Sequence, residues 1–520
     1  MMEWGRKHLT QIVFFLFSIV VYLSIPYTLG FRDDYNYFIG AVNIYENQTY
    51  SLDEGRPAKY PMGYPLLMVP FFYAFGPEVQ AGVLPCALLG ALAVVLMFEF
   101  TKFLFDKRTA VFASLLFMFS AHWNYSNAVM SDVPALFFSV LGIFAAVRYT
   151  KTKKPQLAFL FYAAVALASL MRYSSLLVFP IVGLYLLLSR NMGLLKKKEI
   201  WLGLLLALLI VTPQLLYNYH HFGSPFSTGY DRQKTFRFVR HVYSFDVAST
   251  VHYFIKYLKY SVFGYSKAAS PFFLLGLLFM TKNRRWREFL LFVPWISIPL
   301  LSFSIAAANI DYRDRYVMLI FPVFIMIAGY GFAKISTLSF IKNRIAKTIF
   351  VAFLIVVILV PVTSFRYDRI RRKETGQAVN KKALFWINEN SSPDDVVFCS
   401  TGIVDRYYLE RTYFPLYTPR RALEREISKP NDIYVVFTFL DADEEQFFDF
   451  GIKKWLEDDF SLDLMEEFES RFPLSFISKT VLSLLERTPF KPTKKENHWS
   501  APTIYRTSVY LLNEKPSESS

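Results

Sequence analysis

Three aspartates occupy positions in which a membrane protein could use them for chemistry. Asp33 and Asp34 follow the first hydrophobic segment, and Asp132 directly precedes a later one. A carboxylate at a membrane boundary loses part of its hydration, so it must be paired or used. A shared acid/base site is the functional interpretation. The simpler alternatives are that Asp33 and Asp34 merely solvate a span end, and that Ser131 or Asp132 caps a helix with Pro134 in its first turn.

Cations on the same side of the predicted membrane offer partners for an anion. They are Lys59, Arg172, Arg313 and Arg315. Their positions run against the usual cytoplasmic enrichment of Lys and Arg, so each needs a partner, which could be a phosphate or an acidic side chain. For Arg313 the simple alternative is an ion pair with Asp311 or Asp314. For Arg315 and Lys59 we favour contact with a ligand.

The composition is that of a membrane protein. Of 520 residues, 54% are hydrophobic and 18% aromatic, and the mean hydropathy is +0.29, which is too apolar for an ordinary soluble protein. The net charge is +15, but residues 1–365 carry 34 Lys and Arg against 16 Asp and Glu, whereas residues 366–520 carry 23 against 26. The basic excess therefore belongs to the hydrophobic part. It indicates membrane topology and contact with lipid headgroups rather than binding of nucleic acid.

Apolar segments between residues 9 and 364 predict eleven transmembrane helices, the last over about 346–364. An interfacial or re-entrant piece is expected over 62–75, and an interfacial helix near 250–263. Cationic clusters fall at the N-terminus and in every second connection thereafter. The positive-inside rule then places the N-terminus in the cytoplasm and the C-terminus outside it.

The composition changes near residue 366. Apolar, β-branched runs at 395–399, 433–438 and 508–512 predict strands, and they alternate with helical patterns such as 381–388 and 447–460. This alternation is typical of an α/β domain. We therefore expect a polytopic α-helical membrane protein with two parts: a transmembrane catalytic domain (1–365) and a small extracytoplasmic α/β domain (366–520).

The sequence leaves metal binding open. His220 and His221 are neighbours, so they point to different faces of any regular element, and a metal needs two or three convergent ligands. For His122, at the outer end of a predicted span, a structural or substrate-contacting role is favoured. The three aspartates could hold Mg²⁺ or Mn²⁺ through oxygen atoms, but no metal ligand set is assigned.

The order of these motifs resembles that of the GT-C superfamily of membrane glycosyltransferases. The nearest group is the protein O-mannosyltransferases and lipid A aminoarabinose transferases (glycosyltransferase family 39-like). In that family an acidic pair follows the first span, as Asp33-Asp34 does here. Lys59-Tyr-Pro61 and Tyr64-Pro-Leu66 loosely match a Lys-Pro-Pro-Leu-like segment, Ser131-Asp132-Val-Pro134 matches a second acidic motif, and Arg172 matches an arginine after the fifth span. The resemblance covers about residues 8–365 and implies a GT-C-like transmembrane domain.

The resemblance also implies a reaction. A polyprenyl-phosphate-linked sugar would be the donor, and a hydroxyl of a glycan, protein or lipid the acceptor, on the extracytoplasmic side of the plasma membrane. Asp33 would be the base of an inverting single displacement, while Asp34 and Asp132 orient sugar or acceptor. No cofactor is certain, though Mg²⁺ or Mn²⁺ is possible. The candidates for contact with substrate or phosphate are Lys59, Tyr64, His122, Arg172, Arg313 and Arg315.

Two other functions fit a polytopic protein of this composition. One is a transporter or flippase for lipid-linked sugars; an odd number of spans, no carboxylate at mid-membrane and a large outer domain argue against it. The other is a non-catalytic scaffold for envelope assembly that docks partners through its C-terminal domain. Neutralising the aspartates would leave the function of such a scaffold unchanged.

Overall fold

The computed structural model describes residues 2–27, 29, 32–52, 56–229, 246–264, 269–309, 314–336, 367–368, 371, 378–399, 408–415, 420–440, 450–472 and 503–514. The chain forms two compact units. One comprises Met1–Ser24 and Tyr37–Arg366, and the other Ile25–Asn36 and Tyr367–Ser520. The segment that carries Asp33 and Asp34 therefore groups with the C-terminal part of the chain.

The first unit is helical. One helix, α2, is divided between the units, because its first turn belongs to the second unit. The helices are α1 (Met2–Tyr22), α2 (Arg32–Asn47), α3 (Gly63–Phe75), α4 (Val79–Leu104), α5 (Lys107–Met118), α6 (Ala121–Ser126), α7 (Asp132–Thr152), α8 (Pro155–Met171), α9 (Val178–Leu188), α10 (Lys198–Phe222), α11 (Val247–Lys259), α12 (Ser270–Lys282), α13 (Trp286–Asn309) and α14 (Phe321–Ile335). Short 3₁₀ segments, Tyr173–Leu177, Met192–Lys196 and Asp314–Ile320, precede α9, α10 and α14.

Five helical stretches are long and apolar enough to cross a membrane. They are α4, α7, α10, the stretch Trp286–Ala307 of α13, and Arg315–Ile335. The structure also has five shorter apolar helices. One of them is α3, which corresponds to the piece predicted over residues 62–75. The eleventh predicted span, 346–364, lies outside the described residues, so the count of eleven stays a prediction.

The most buried of these five is the stretch Arg315–Ile335, whose apolar window is 94% buried. Two glycines allow α12 and α14 to approach closely. A Cβ added at Gly276 would lie 2.1 Å from the carbonyl oxygen of Ile327, and one at Gly331 would lie 2.1 Å from that of Phe272. Small residues at helix contacts are typical of membrane bundles, where backbone proximity gives the packing energy.

The second unit contains a five-stranded sheet. Its strands are β1 (Val396–Cys399), β2 (Thr412–Pro415), β3 (Ile433–Leu440), β4 (Phe460–Phe472) and β5 (Thr503–Glu514), in the order β2-β1-β3-β5-β4. Its helices are α15 (378–390), α16 (Arg420–Ile427) and α17 (Phe450–Asp459). Strands β2, β1 and β3 are parallel, while β5 is antiparallel to both β3 and β4.

Both faces of the sheet centre are buried. On one face, Phe398 and Val435 pack in a cluster with Leu423 of α16 and Trp455 of α17. On the other, Val436 pairs with Val509, and both are fully buried. Burial on both faces explains why the central strands read as continuous apolar runs in the sequence. Strand β4, at the edge of the described sheet, was not expected, because its sequence is rich in acidic residues.

Candidate active site

A cleft opens at one end of the helical unit, where several helix ends meet. It encloses about 350 Å³ of unfilled space, including its open mouth. The residues that line it include Asp132, Ser139, Arg172, Ser174, Ser175, Phe303, Arg315 and Tyr316. They come from the first half of α7, the end of α8, the 3₁₀ segment before α9, the second half of α13 and the 3₁₀ segment before α14. When two neighbouring helices run antiparallel, the start of one and the end of the next lie on the same side of the bundle. The topology predicted from the sequence requires this of α7 and α8.

An ion pair between Asp132 and Arg172 forms one wall of the cleft. Helix α8 ends at Met171, so Arg172 leaves the helix there, and its Nη1 donates to Oδ1 of Asp132 at 2.5 Å. The Asp132 side chain is only 2% exposed and that of Arg172 21%. Burial of a carboxylate is tolerated when such a partner compensates for lost hydration. The other carboxylate oxygen, Oδ2, is buried and receives no hydrogen bond within the described residues.

Asp132 does not serve as a helix cap. Helix α7 begins at Asp132, and its N-cap, Ser131, makes no capping hydrogen bond with its side chain. Instead Oγ of Ser131 lies 2.8 Å from the hydroxyl of Tyr37. Ser131 therefore occupies the N-cap position and Pro134 lies in the first turn, as the simpler alternative expected, but the Ser131 side chain makes no capping hydrogen bond.

Arg315 and Tyr316 lie across the cleft. The guanidinium carbon of Arg172 is 5.9 Å from the centre of the Tyr316 ring, which also stacks on Phe303 at 5.8 Å. Arg315 points Nη1 towards the sulfur of Met130, at 3.9 Å. Two guanidinium groups thus line one small cleft. Arg313 and Asp311 lie outside the described residues, so the ligand role of Arg313 and its alternative stay predictions.

Tyr37 connects the segment around Lys59 (residues 58–62, the Lys59 segment) with the Asp132 motif (residues 131–134). The Lys59 ammonium lies 4.9 Å from the centre of the Tyr60 ring, and that ring packs against Tyr37 at 4.7 Å. Tyr37 in turn contacts Ser131 through its hydroxyl. Two motifs that are distant in the sequence are therefore joined in the structure. Lys59 itself is not among the residues that line the cleft.

Two predicted contact residues are packed in the interior instead. Tyr64 is fully buried and donates to the carbonyl of Gly82 at 3.1 Å. His122 is 1% exposed, lies 3.1 Å through Nε2 from the carbonyl of Gly90, and stacks on Phe117 at 4.2 Å. Neither residue lines the cleft. The structural role considered for His122 fits this packing, whereas substrate contact by either residue gains no support from it.

Asp33 and Asp34 occupy the first turn of α2, where the helix dipole favours negative charge. Asp34 is fully buried; its Oδ2 accepts from the Tyr27 hydroxyl at 2.5 Å and its Oδ1 from the Tyr35 amide at 2.8 Å. Asp33 is partly exposed. The pair belongs to the C-terminal unit and Asp132 to the helical one, so the convergence of all three aspartates stays a prediction.

Comparison with known proteins identifies the fold. Residues 59–217 match the family model described as dolichyl-phosphate-mannose-protein mannosyltransferase. ArnT from Cupriavidus metallidurans in the apo state is similar in structure, with a TM-score of 0.61 and 13% identity over 89% of this chain and 96% of that one. The same protein bound to undecaprenyl phosphate gives a TM-score of 0.58 at 14% identity, with the same coverage.

A second similar structure is the archaeal oligosaccharyltransferase AglB from Archaeoglobus fulgidus in complex with an inhibitory peptide and a dolichol-phosphate. It gives a TM-score of 0.55 at 12% identity over 83% of this chain and 70% of that one. No curated protein matches the chain in sequence.

This is the GT-C fold. The resemblance to GT-C membrane glycosyltransferases inferred from the motifs is therefore confirmed.

Within this GT-C fold, sequence reasoning missed several residues that line the cleft, among them Ser139 and Tyr316. Ser139 lies seven residues after Asp132 in α7, so at 1.5 Å per residue the cleft reaches about 10 Å along the helix. The Ser139 hydroxyl is buried and has no partner within the described residues. The sequence feature that could have identified Ser139 is a polar residue, two helical turns after an acidic one, within an apolar span. Tyr316 follows Arg315 directly and gave no separate signal.

The GT-C cleft offers no ready-made metal site. Within the described ranges, no three His, Cys, Asp or Glu side chains come together as ligands. Asp132 has one carboxylate oxygen to offer, but a stable Mg²⁺ or Mn²⁺ site takes several oxygen ligands. The described residues by themselves therefore do not fit a metal. The sequence-based possibility of Mg²⁺ or Mn²⁺ stays a prediction.

Proposed function

We propose that the chain is a glycosyltransferase that moves a sugar from a polyprenyl-phosphate donor to an acceptor hydroxyl. The observation that carries this proposal is the cleft in which the buried Asp132–Arg172 pair faces Arg315. The fold supports it, since similar structures contain undecaprenyl phosphate or dolichol-phosphate. A lipid tail can remain in the bilayer while the sugar enters such a cleft, so a soluble nucleotide is unnecessary.

The cations would act on the departing phosphate. Negative charge develops on the phosphate oxygens as the bond to the sugar breaks, and preorganised guanidinium groups stabilise it in the transition state. Arg172 donates to Asp132 and lines the cleft, and its planar guanidinium carries five N–H donors in all. Arg315 lines the same cleft. Lys59 completes the proposed set, with Arg313 as a further candidate.

The aspartates would divide acid/base and orienting roles. In an inverting single displacement, the acceptor oxygen bonds to the anomeric carbon while the bond to phosphate breaks. The electron pair leaves with the phosphate, and the proton of the acceptor hydroxyl passes to Asp33. Asp34 accepts a hydrogen bond on each oxygen, which suits an orienting residue better than a base. Oδ2 of Asp132 could accept a hydrogen bond from a sugar or acceptor hydroxyl.

The proposed setting is the plasma membrane, with the N-terminus in the cytoplasm and the α/β domain outside it. The partners would be the lipid-linked sugar, an acceptor on a glycan, protein or lipid, and the surrounding lipids, with no nucleic acid. Mass spectrometry of cell-envelope glycans from cells with and without the gene would identify the sugar and the acceptor. Identical glycans in the two cell types would contradict the proposal.

Asp33→Asn tests the role of the base. The variant keeps the size of the side chain and removes its basicity, so the transfer rate in proteoliposomes should fall roughly 10²–10⁴-fold. Glu78→Gln is the matched control, because Glu78 is exposed and its side chain makes no capping hydrogen bond. Turnover of Asp33→Asn at the wild-type rate would refute the assignment. Movement of intact lipid between leaflets without a new glycosidic bond would favour the transporter instead.

A further inference from the structure

Helix α10 combines a largely exposed apolar surface with two deeply buried side-chain amides. Only 17% of its apolar stretch is buried, the smallest share among the five long apolar helices described. Near its C-terminal end, however, the side chains of Gln214 and Asn218 are 3% and 2% exposed. These residues are four apart and therefore lie on one helix face. Leu216 and Tyr219, on other faces, are 62% and 63% exposed.

The two amides form a chain of hydrogen bonds that ends on the Lys59 segment. The backbone amide of Met62 donates to Oε1 of Gln214 at 2.8 Å. Nε2 of Gln214 donates to Oδ1 of Asn218 at 2.8 Å, and Nδ2 of Asn218 donates to the carbonyl of Pro225 at 3.2 Å. Buried amides are costly unless satisfied in this way, so the chain fixes their geometry.

A second contact holds the other side of the segment. The backbone amide of Ala58 donates to the hydroxyl of Tyr217 at 2.7 Å. The ring of Tyr217 packs on Tyr50 at 5.1 Å, and the hydroxyl of Tyr50 donates to the carbonyl of Tyr60 at 2.9 Å. The backbone is therefore held by side chains just before and just after Lys59.

A third contact lies against the backbone of Lys59 itself. A Cβ added at Gly229 would lie 2.6 Å from the Cα of Lys59. Glycine thus permits the loop after α10 to press directly on the lysine. The end of α10 and this loop together enclose the segment.

We infer that Gln214 and Tyr217 are positioning residues that set the backbone of Lys59 for contact with the donor phosphate. This inference rests on the proposed function, since it takes Lys59 as a phosphate ligand. A point charge acts on a phosphate only over a short distance, so a small shift of the lysine backbone weakens the contact. The segment is rich in Pro and Tyr, but Gln214 and Tyr217 lie more than 150 positions from their partners Met62 and Ala58 in sequence.

The test is a double-mutant cycle between Tyr217→Phe and Lys59→Ala. Tyr217→Phe removes only the hydroxyl and keeps the ring stack. Binding of undecaprenyl phosphate to the full chain in nanodiscs is measured together with kcat and KM for transfer. Loss of Lys59, or of its correct placement, should weaken binding roughly tenfold, the usual effect of one charged hydrogen bond. In the Lys59→Ala background, Tyr217→Phe should have no further effect, because both changes act through the lysine.

Controls separate positioning from general damage. Tyr219→Phe, two residues away on an exposed face, should bind and react as the wild type. Gln214→Met should weaken binding as Tyr217→Phe does, and Gly229→Ala provides an independent displacement of the Lys59 backbone. Thermal unfolding in detergent identifies variants that fail to fold. Tyr217→Phe and Gly229→Ala perturb different elements. If one of the two variants fails to fold, the other still tests whether displacement of the Lys59 backbone weakens binding.

Additive losses from Tyr217→Phe and Lys59→Ala would overturn the inference, and so would unchanged binding in Tyr217→Phe. If Lys59→Ala binds undecaprenyl phosphate normally while Asp33→Asn still abolishes transfer, the inference fails and the transferase stands. If the wild-type chain forms no glycosidic bond from a lipid-linked sugar, the proposed function itself fails, whatever the variants do to binding.

Discussion

Nη1 of Arg172 and Oδ1 of Asp132 lie 2.5 Å apart, although the two residues are 40 positions apart in sequence. Arg172 directly follows the end of α8 and Asp132 is the first residue of α7, so the ion pair joins the ends of two helices in the lining of the cleft. It also orients the second oxygen of Asp132, which has no partner among the described residues. Structure and proposed chemistry therefore depend on the same contact.

Arg172→Met should lower both stability and transfer. It leaves a buried carboxylate unpaired, which typically costs about 3–5 kcal/mol. The double variant Asp132→Asn/Arg172→Met should recover part of the stability, because no unpaired charge remains, but none of the activity. Thermal unfolding in detergent and transfer assays in proteoliposomes measure the two effects. If the double variant is less stable than Arg172→Met alone, the pair is not the source of the effect.

Arg315→Ala should weaken binding of undecaprenyl phosphate and make the remaining binding less sensitive to salt. A guanidinium bound to phosphate contributes a charge-assisted hydrogen bond, so the loss should be roughly tenfold or more. Arg315→Lys keeps the charge but loses the planar fork, and it should fall between wild type and Arg315→Ala. Titrations in nanodiscs at two salt concentrations check this order. Equal binding by all three proteins would exclude Arg315 from the phosphate site.

Ser139→Leu should block the deep part of the cleft. The added side chain would occupy the space about two turns below Asp132, so binding of the sugar-bearing donor should fall while the helix remains intact. Ser139→Ala is the matched control, because it removes the hydroxyl without adding volume. Comparison of KM for the donor in the two variants gives the answer. A similar KM in Ser139→Leu and wild type would mean that the donor does not reach this depth.

Gly331→Ala should destabilise the bundle, since its Cβ would lie 2.1 Å from the Phe272 carbonyl. The backbone cannot move without separating α12 from α14, and overpacking of this kind typically costs about 1–3 kcal/mol. Gly183→Ala in α9 is the matched control, because no described atom lies within 4 Å of a Cβ there. Alanine also favours a helix over glycine. Thermal unfolding should show a lower midpoint for Gly331→Ala and an equal or higher one for Gly183→Ala.

Hydropathy and charge were sufficient to predict the helical character and the meeting of Asp132 and Arg172 at one end of the bundle. They could not predict that the two residues pair directly, because that depends on where each helix ends to within one residue. For Arg172 the sequence left a phosphate or an acidic side chain open as the partner. The structure shows the acidic side chain, that of Asp132.

The burial of His122 and Tyr64 illustrates a second limit. Both are polar residues at predicted outer span ends, a position typical of ligand contact. In the structure their polar atoms contact backbone carbonyls of other helices, and their rings fill the interior. A sequence does not distinguish these two uses, since the deciding partners are carbonyl groups that every residue carries. Gln214 and Tyr217 gave no signal for a related reason, since the groups that donate to them are the backbone amides of Met62 and Ala58.

Strand β4 lies at the edge of the described sheet and carries Asp463, Glu466, Glu467 and Glu469, all exposed. An edge strand presents backbone groups that another copy could pair with. Two such edges would bring eight carboxylates together, and their mutual repulsion opposes that pairing. Many copies crowded into one bilayer would therefore not polymerise through their sheets, and the acidic composition that concealed this strand from sequence reasoning also protects it from aggregation.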